Sequence, residues 1–208
     1  MWRAFVQSAL IPLVLVETVL IAAYLLTNSS IREAQIDHLR ETALSDLQTA
    51  AQQEAQLVSE RLATIGKLTD LYREQVGSVL LRKDYVVDEL ERQRHTRTPD
   101  GVLFTKTDDG RAASFYANST PAEQQDLDRV LRLAQLDPLM KSLQASNKLI
   151  ASLYFNTWDS YNRIYPWFFT PDQYPHDMVI PDYNFYYLAD ARHNPQRKVV
   201  WTDIYVDP

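Results

Sequence analysis

The chain has 208 residues, enough for one ordinary domain with additional helix or for two small domains. Its formal net charge of -6 argues against nucleic acid, and no nucleic-acid partner is expected. It has no cysteine, which excludes a disulfide framework and thiolate metal sites, and its four glycines form no phosphate-cradling loop.

Residues 4–28 carry one charge, Glu17, in an otherwise apolar run. A helix of that length spans the roughly 30 Å hydrocarbon layer. A secretory signal has a shorter apolar core and ends at small residues. Leu25-Leu26-Thr27-Asn28 does not fit that pattern, so an uncleaved anchor in the lipid bilayer is expected. Arg3 and the amino terminus favour a cytoplasmic tip over residues 1–3, against Arg32 and Arg40 on the other flank. Glu17 reads as a neutral carboxyl tolerated within one helix, or as a contact between protomers.

Residues 29–95 follow with no proline and only Gly66 and Gly77. Ile36, Leu39, Ala43, Leu47, Ala50, Val58, Leu62, Ile65, Leu68, Tyr72, Val76 and Val79 step by threes and fours, with Glu54 interrupting them. That spacing predicts a long amphipathic stalk helix with one face to bury, and a parallel homodimer through it.

From Gly101 the pattern changes. Residues 102–107 and 112–116 flank Asp108-Asp109-Gly110, which predicts a hairpin. Thr120-Pro121-Ala122-Glu123 predicts a helix start, and Asp137-Pro138 a second. Residues 149–155, 184–189 and 198–206 read as strands, and the prolines at 171, 175 and 181 as an irregular loop. The expected fold class is α+β: a transmembrane helix, a stalk helix, then an antiparallel sheet domain over 96–208 flanked by short helices.

Fifteen of the twenty-three aromatic residues lie between Tyr154 and Pro208, and they surround Arg163 in the stretch from Trp158 to Trp167. An arginine can grip a carboxylate through two parallel hydrogen bonds, and rings keep water from that grip. Trp158, Tyr161, Arg163, Tyr165 and Trp167 are therefore candidate pocket residues. In an alternating strand Trp201, Asp203, Tyr205 and Asp207 share one face, where the aspartates could hold a cationic group. Tyr186 and Tyr187 point to opposite faces, and Tyr187 is taken as the pocket residue. The bland alternatives are a solvated edge strand at 201–207 and a structural salt bridge from Arg163 to Asp159 or Asp177. His176-Asp177 and His193 read as solvated loop residues, with no metal or other cofactor expected.

A membrane helix, a long helix and then Arg163-Ile164-Tyr165-Pro166-Trp167, residues 184–190, His193-Asn194-Pro195 and residues 201–207 resemble the double-Cache (PDC-type) extracytoplasmic sensor of bacterial receptors. The resemblance implies a sensor fronting a histidine kinase, a chemoreceptor, or a cyclic-nucleotide or phosphatase module. It puts Arg163 and Trp167 on a ligand carboxylate and Tyr205 and Asp207 on its amine. Here three residues separate the arginine from the tryptophan and Phe168 follows, so a small carboxylate stands beside an amino acid or amine as ligand. The expectation is a non-enzymatic sensor in the bacterial inner membrane with its sheet domain periplasmic. Ligand would enter between the sheet and a closing loop over 158–182. The chain is expected to be the N-terminal part of a longer receptor. A membrane-tethered coiled-coil scaffold is the alternative. A hydrolase using Asp203 and Asp207 lacks a nucleophile-base pair in the sequence.

Overall fold

The computed structural model describes Arg3, residues 6–82 and residues 84–205; Asp207, expected at the end of a strand, lies outside them. The chain divides into two compact units, Met1–Arg61 and Leu62–Pro208.

The first unit is helical. A π-helical turn, Val6–Leu10, leads into helix α1, Ile11–Leu81. Pro12 sits in the first turn, where its missing N–H costs no hydrogen bond, and no proline recurs before Pro99. From Leu10 to Leu26 the apolar side chains are exposed. Among the described residues one helix, Val6–Leu81, is long and apolar enough to cross a membrane.

The second unit is an antiparallel sheet with a packed layer on each face. α1 ends at Leu81, short of the expected boundary at residue 95, with neither glycine nor proline to mark the stop. A tertiary cap does it: the Arg132 guanidinium donates to the Arg82 carbonyl, and Arg82 Nη1 donates to Gln135 Oε1 at 2.9 Å. After an irregular link, Asp88 caps helix α2, Glu89–Arg94, by accepting from the Leu90 amide at 2.9 Å.

The strands are β1 His95–Arg97, β2 Leu103–Thr105, β3 Ala113–Tyr116, β4 Leu153–Asn156 and β5 Tyr161–Tyr165. Their order is β1-β2-β3-β5-β4, with every pair antiparallel. The expected hairpin is β2–β3, and its turn is held by Asp108 Oδ1 accepting from the Gly110 amide at 2.8 Å. Gly110 has φ of +80°, which glycine adopts without strain. Between β3 and β4 lie α3, Leu127–Leu133, a 3₁₀ turn, Ala134–Leu136, and α4, Asp137–Ser146. The start at Asp137 is as expected. The start at Thr120 is not: Asp126 caps α3 by accepting from the Arg129 amide at 3.0 Å, and the Thr120 hydroxyl donates to the Asp159 carbonyl at 2.6 Å.

Period-2 alternation divides the sheet's side chains between two cores. On the helix side, Leu103, Tyr116 and Tyr161 pack with Tyr72, Val76 and Val79 of α1 and with Val130, Leu133 and Met140. On the loop side, Phe115 packs with Tyr174, Met178 and Ile180.

Among the described residues two expected strands are absent. Residues 184–189 contain one helical turn, α5, Asn184–Tyr187, and residues 198–205 have no regular structure. The expected closing loop at 158–182 is corrected too, because its first third contains β5, an inner strand between β3 and β4. Aromatic and β-branched residues fit any half-buried surface. Here Phe168, Tyr183, Phe185 and Tyr186 cover the loop-side core instead of extending an edge.

Candidate functional site

β5 sends Arg163 to the helix side and Asn162 to the loop side, and the two neighbours meet opposite fates. Arg163 is fully buried. Its Nε donates to Asp137 Oδ1 at 2.7 Å and its Nη2 to Asp137 Oδ2 at 2.6 Å. Nη1 and Nη2 reach Glu91 Oε1 at 3.1 and 3.2 Å, and Nη1 also donates to Ser114 Oγ at 3.1 Å. A guanidinium has five N–H groups, and these five contacts use them. The expected carboxylate grip exists, but the carboxylates belong to the chain. Arg163 is therefore corrected from ligand clamp to the centre of an internal ion network, and its partners are Glu91 and Asp137 in place of Asp159 or Asp177.

The network is closed electrostatically. Arg94 donates to Glu91 Oε2 at 2.9 Å, and Arg111 joins Glu91 and Asp109 at the rim. Burial pushes the Glu91 carboxyl up, but Arg163 and Arg94 outweigh it and hold the group below the ordinary carboxylate range. Burial likewise works against the Arg163 charge, and Asp137 and Glu91 more than restore it. His95 lies against the network. Its Nδ1–H donates to the Glu91 carbonyl at 2.9 Å and its buried Nε2 has no hydrogen-bond partner. Burial lowers its pKa, opposed by Glu91 and reinforced by Arg163 and Arg94.

The remaining candidates do not converge on one site. Tyr161 is fully buried on the helix side, with its Oη 3.1 Å from Ser114 Oγ, and Tyr165 packs at the edge of that core. Trp167 Nε1 donates to Thr105 Oγ1 at 3.2 Å. Trp158 is exposed and stacks under the Arg129 guanidinium at 4.8 Å. Tyr187 lies 5.7 Å from the His193 ring. Trp201 and Asp203 are exposed on the irregular segment, so the expected shared face with Tyr205 is not formed. Tyr205 alone reaches the loop side, with its ring 5.8 Å from Phe185 and its hydroxyl 3.5 Å from that of Tyr154.

That is where the sheet leaves a hollow. Tyr154, Asn156, Asn162, Tyr174, Met178, Ile180 and Phe185 line it, with about 290 Å³ of empty space including the open mouth. Its narrow interior admits water and nothing larger unless the wall moves. Asn162 and Asn156 are cross-strand partners, and Asn162 Nδ2 donates to Asn156 Oδ1 at 2.7 Å. Asn162 is 5% exposed, and its Oδ1 is buried without a partner. Such an acceptor costs about 1–3 kcal/mol if left unsatisfied.

Sequence reasoning passed over these residues because it followed the charge. Strand alternation next to Arg163 would have placed Asn162 on the opposite face. A wider groove on the helix side, lined in part by Tyr85, Asp88, Asp109, Arg111 and Lys141, is an open trough of about 990 Å³. Among the described residues no group of three or more His, Asp or Glu side chains could hold a metal ion. His176 instead contacts Asp100 at 2.7 Å, and His193 contacts Asp190 at 2.9 Å.

No family model matches this chain, and neither a curated protein nor a solved structure matches it significantly.

Proposed function

We propose that the chain is the extracytoplasmic, small-molecule-sensing part of a receptor anchored in the bacterial inner membrane, and that its ligand enters the loop-side hollow. The observation that carries this reading is the buried Asn162 Oδ1, an acceptor in a wall of rings with no donor of its own. A buried amide of this kind asks for a donor from the guest.

The chemistry of the hollow narrows the ligand. Its lining contains no charged side chain, and the fully buried Arg163 guanidinium faces the other core with its donors used. An amine or another N–H donor with an apolar body fits better than a carboxylate. Met178 and Ile180 supply apolar contact, and Tyr154, Tyr174 and Phe185 supply ring faces for a cation. Phe185 of α5 is part of the lining and Tyr205 packs against it, so a guest larger than water enters by displacing Phe185 and, with it, Tyr205.

The relay follows from packing within the sheet unit. Tyr72, Val76 and Val79 of α1 share the helix-side core with Tyr161 of β5, whose neighbour Asn162 meets the ligand. A ligand that favours one setting of β5 therefore biases α1 by its differential affinity for the two settings.

The test is a thermal-shift screen of the full chain in detergent micelles against amines, amino acids and short carboxylates. Amines are expected to raise Tm, and Phe185→Ala and Asn156→Ala to abolish the rise. A panel with no stabilising member, or stabilisation that survives both substitutions, removes the proposal.

A further inference from the structure

We infer that the exposed stripe on α1 over residues 36–61 pairs with the same stripe of a second copy, in parallel and in register, with the geometry of an eleven-residue repeat. The inference rests on the membrane-anchored reading, but not on any ligand.

The stripe has a definite period. Ile36, Leu47 and Val58 recur every eleven residues along one flank, and Leu39, Ala50 and Arg61 along the other. Ala43 and Glu54 lie on the midline between them. Every one of these positions is exposed on the helix. Eleven residues in three turns is about 3.67 residues per turn, slightly more than the helix's own 3.6. Two helices that keep such a seam together run nearly straight with a shallow right-handed twist. A seven-residue repeat starting from Ile36 and Leu39 would instead bring Asp46, Gln53 and Leu57 to the seam.

Three observations select a second copy as occupant. The stripe lies on the same helix as the apolar span, so copies in one bilayer stand parallel with their stripes level. A symmetric pair then sets each position against itself, and Ala43 and Ala50 allow the backbones to approach closely. Glu54 faces its own copy across such a pair, a like-charge contact that Arg61 is placed to offset. Glu54 is on the midline and Arg61 lies on the flank two turns on, about 10 Å along the axis. Side chains lean toward the helix N-terminus, so Arg61 of one copy reaches back toward Glu54 of the other.

The chain's lack of cysteine makes the test clean. Single cysteines are placed in the full chain at Ala43, Asp46, Leu47, Gln53, Leu57 and Val58, and oxidised in native membranes without ligand. Disulfide dimers of twice the chain mass are expected at 43, 47 and 58, and little at 46, 53 and 57. Dimers at 46, 53 and 57 but not at 47 and 58 overturn the eleven-residue geometry, position 43 being common to both repeats. Equal or absent cross-linking at all six, or products only with other proteins, overturns the second copy as occupant. None of these outcomes touches the ligand reading, which the thermal-shift panel tests separately.

Discussion

Arg163 and Asp137 meet as a two-pronged ion pair in the helix-side core, Nε to Oδ1 at 2.7 Å and Nη2 to Oδ2 at 2.6 Å, with neither side chain more than 4% exposed. The pair joins the inner strand β5 to the first turn of α4. Glu91 of α2 completes it from a third element, so one guanidinium ties three pieces of the unit together.

Removing that guanidinium leaves two buried carboxylates facing each other. Arg163→Ala is expected to destabilise the sheet unit by about 3–5 kcal/mol, the cost of breaking a buried pair. Arg163→Lys is expected to recover only part of this, because an ammonium cannot form the fork. Urea denaturation of the full chain, followed by near-ultraviolet circular dichroism, measures both. An Arg163→Ala variant as stable as the parent that still binds no amine would return this residue to a ligand role.

Asn162 gives the opposite expectation from the next position in the chain. Asn162→Leu removes the orphan acceptor and leaves Asn156 Oδ1, which is part-buried, to find solvent. Stability is expected to change by less than about 1 kcal/mol, since an unsatisfied polar atom is lost along with one hydrogen bond. Amine stabilisation is expected to disappear. Loss of folding in this variant would make the amide pair structural.

The contrast between Arg163 and Asn162 shows what was legible in the sequence. Turn and cap chemistry read well where it is local: Asp108 to Gly110 and Asp137-Pro138 stand where expected. Elements set by distant contacts did not read. The end of α1 depends on Arg132, fifty residues away, and Thr120 gave up its capping role to the Asp159 carbonyl. The aromatic segments 184–189 and 198–205 misled because rings that cover a sheet have the same composition as rings within one. Arg163 stood out in the sequence by its aromatic neighbours, but its partners are Glu91, which falls within the predicted stalk, and Asp137, at a predicted helix start.

The acid response should come in two stages with the same sign. His95 has its folded-state pKa lowered, so the unfolded chain takes up a proton first as pH falls below the ordinary value of about 6.5. Stability present above that pH is lost down to the folded value. Glu91 is also lowered, so its contribution is present above about pH 4.3 and lost as pH falls through its folded value. The groups facing His95 are Glu91, Arg94 and Arg163. Urea midpoints between pH 8 and 3 should decline in both windows, and His95→Gln should flatten the upper one while leaving the lower. A midpoint that does not change between pH 7 and 5 in the parent protein would contradict the first stage.

Glu54 is the charge on the midline of the α1 stripe, and its substitution tests whether that stripe pairs at all. A polar residue at a seam costs pairing strength while helping to fix register. Glu54→Leu is therefore expected to tighten the pair and relax its register. In the cysteine series this reads as more dimer at Ala43→Cys and Leu47→Cys, with new product at Asp46→Cys as the helices slip. Arg61→Glu is expected to act in the other direction, placing like charges along both copies and reducing dimer at every stripe position. The response to Arg61→Glu should weaken at high salt, because exposed charges about 10 Å apart are screened on that length scale. If Glu54→Leu leaves the yield at every position unchanged, the carboxylate does not sit at a seam, and the stripe faces lipid headgroups or solvent instead of a second copy.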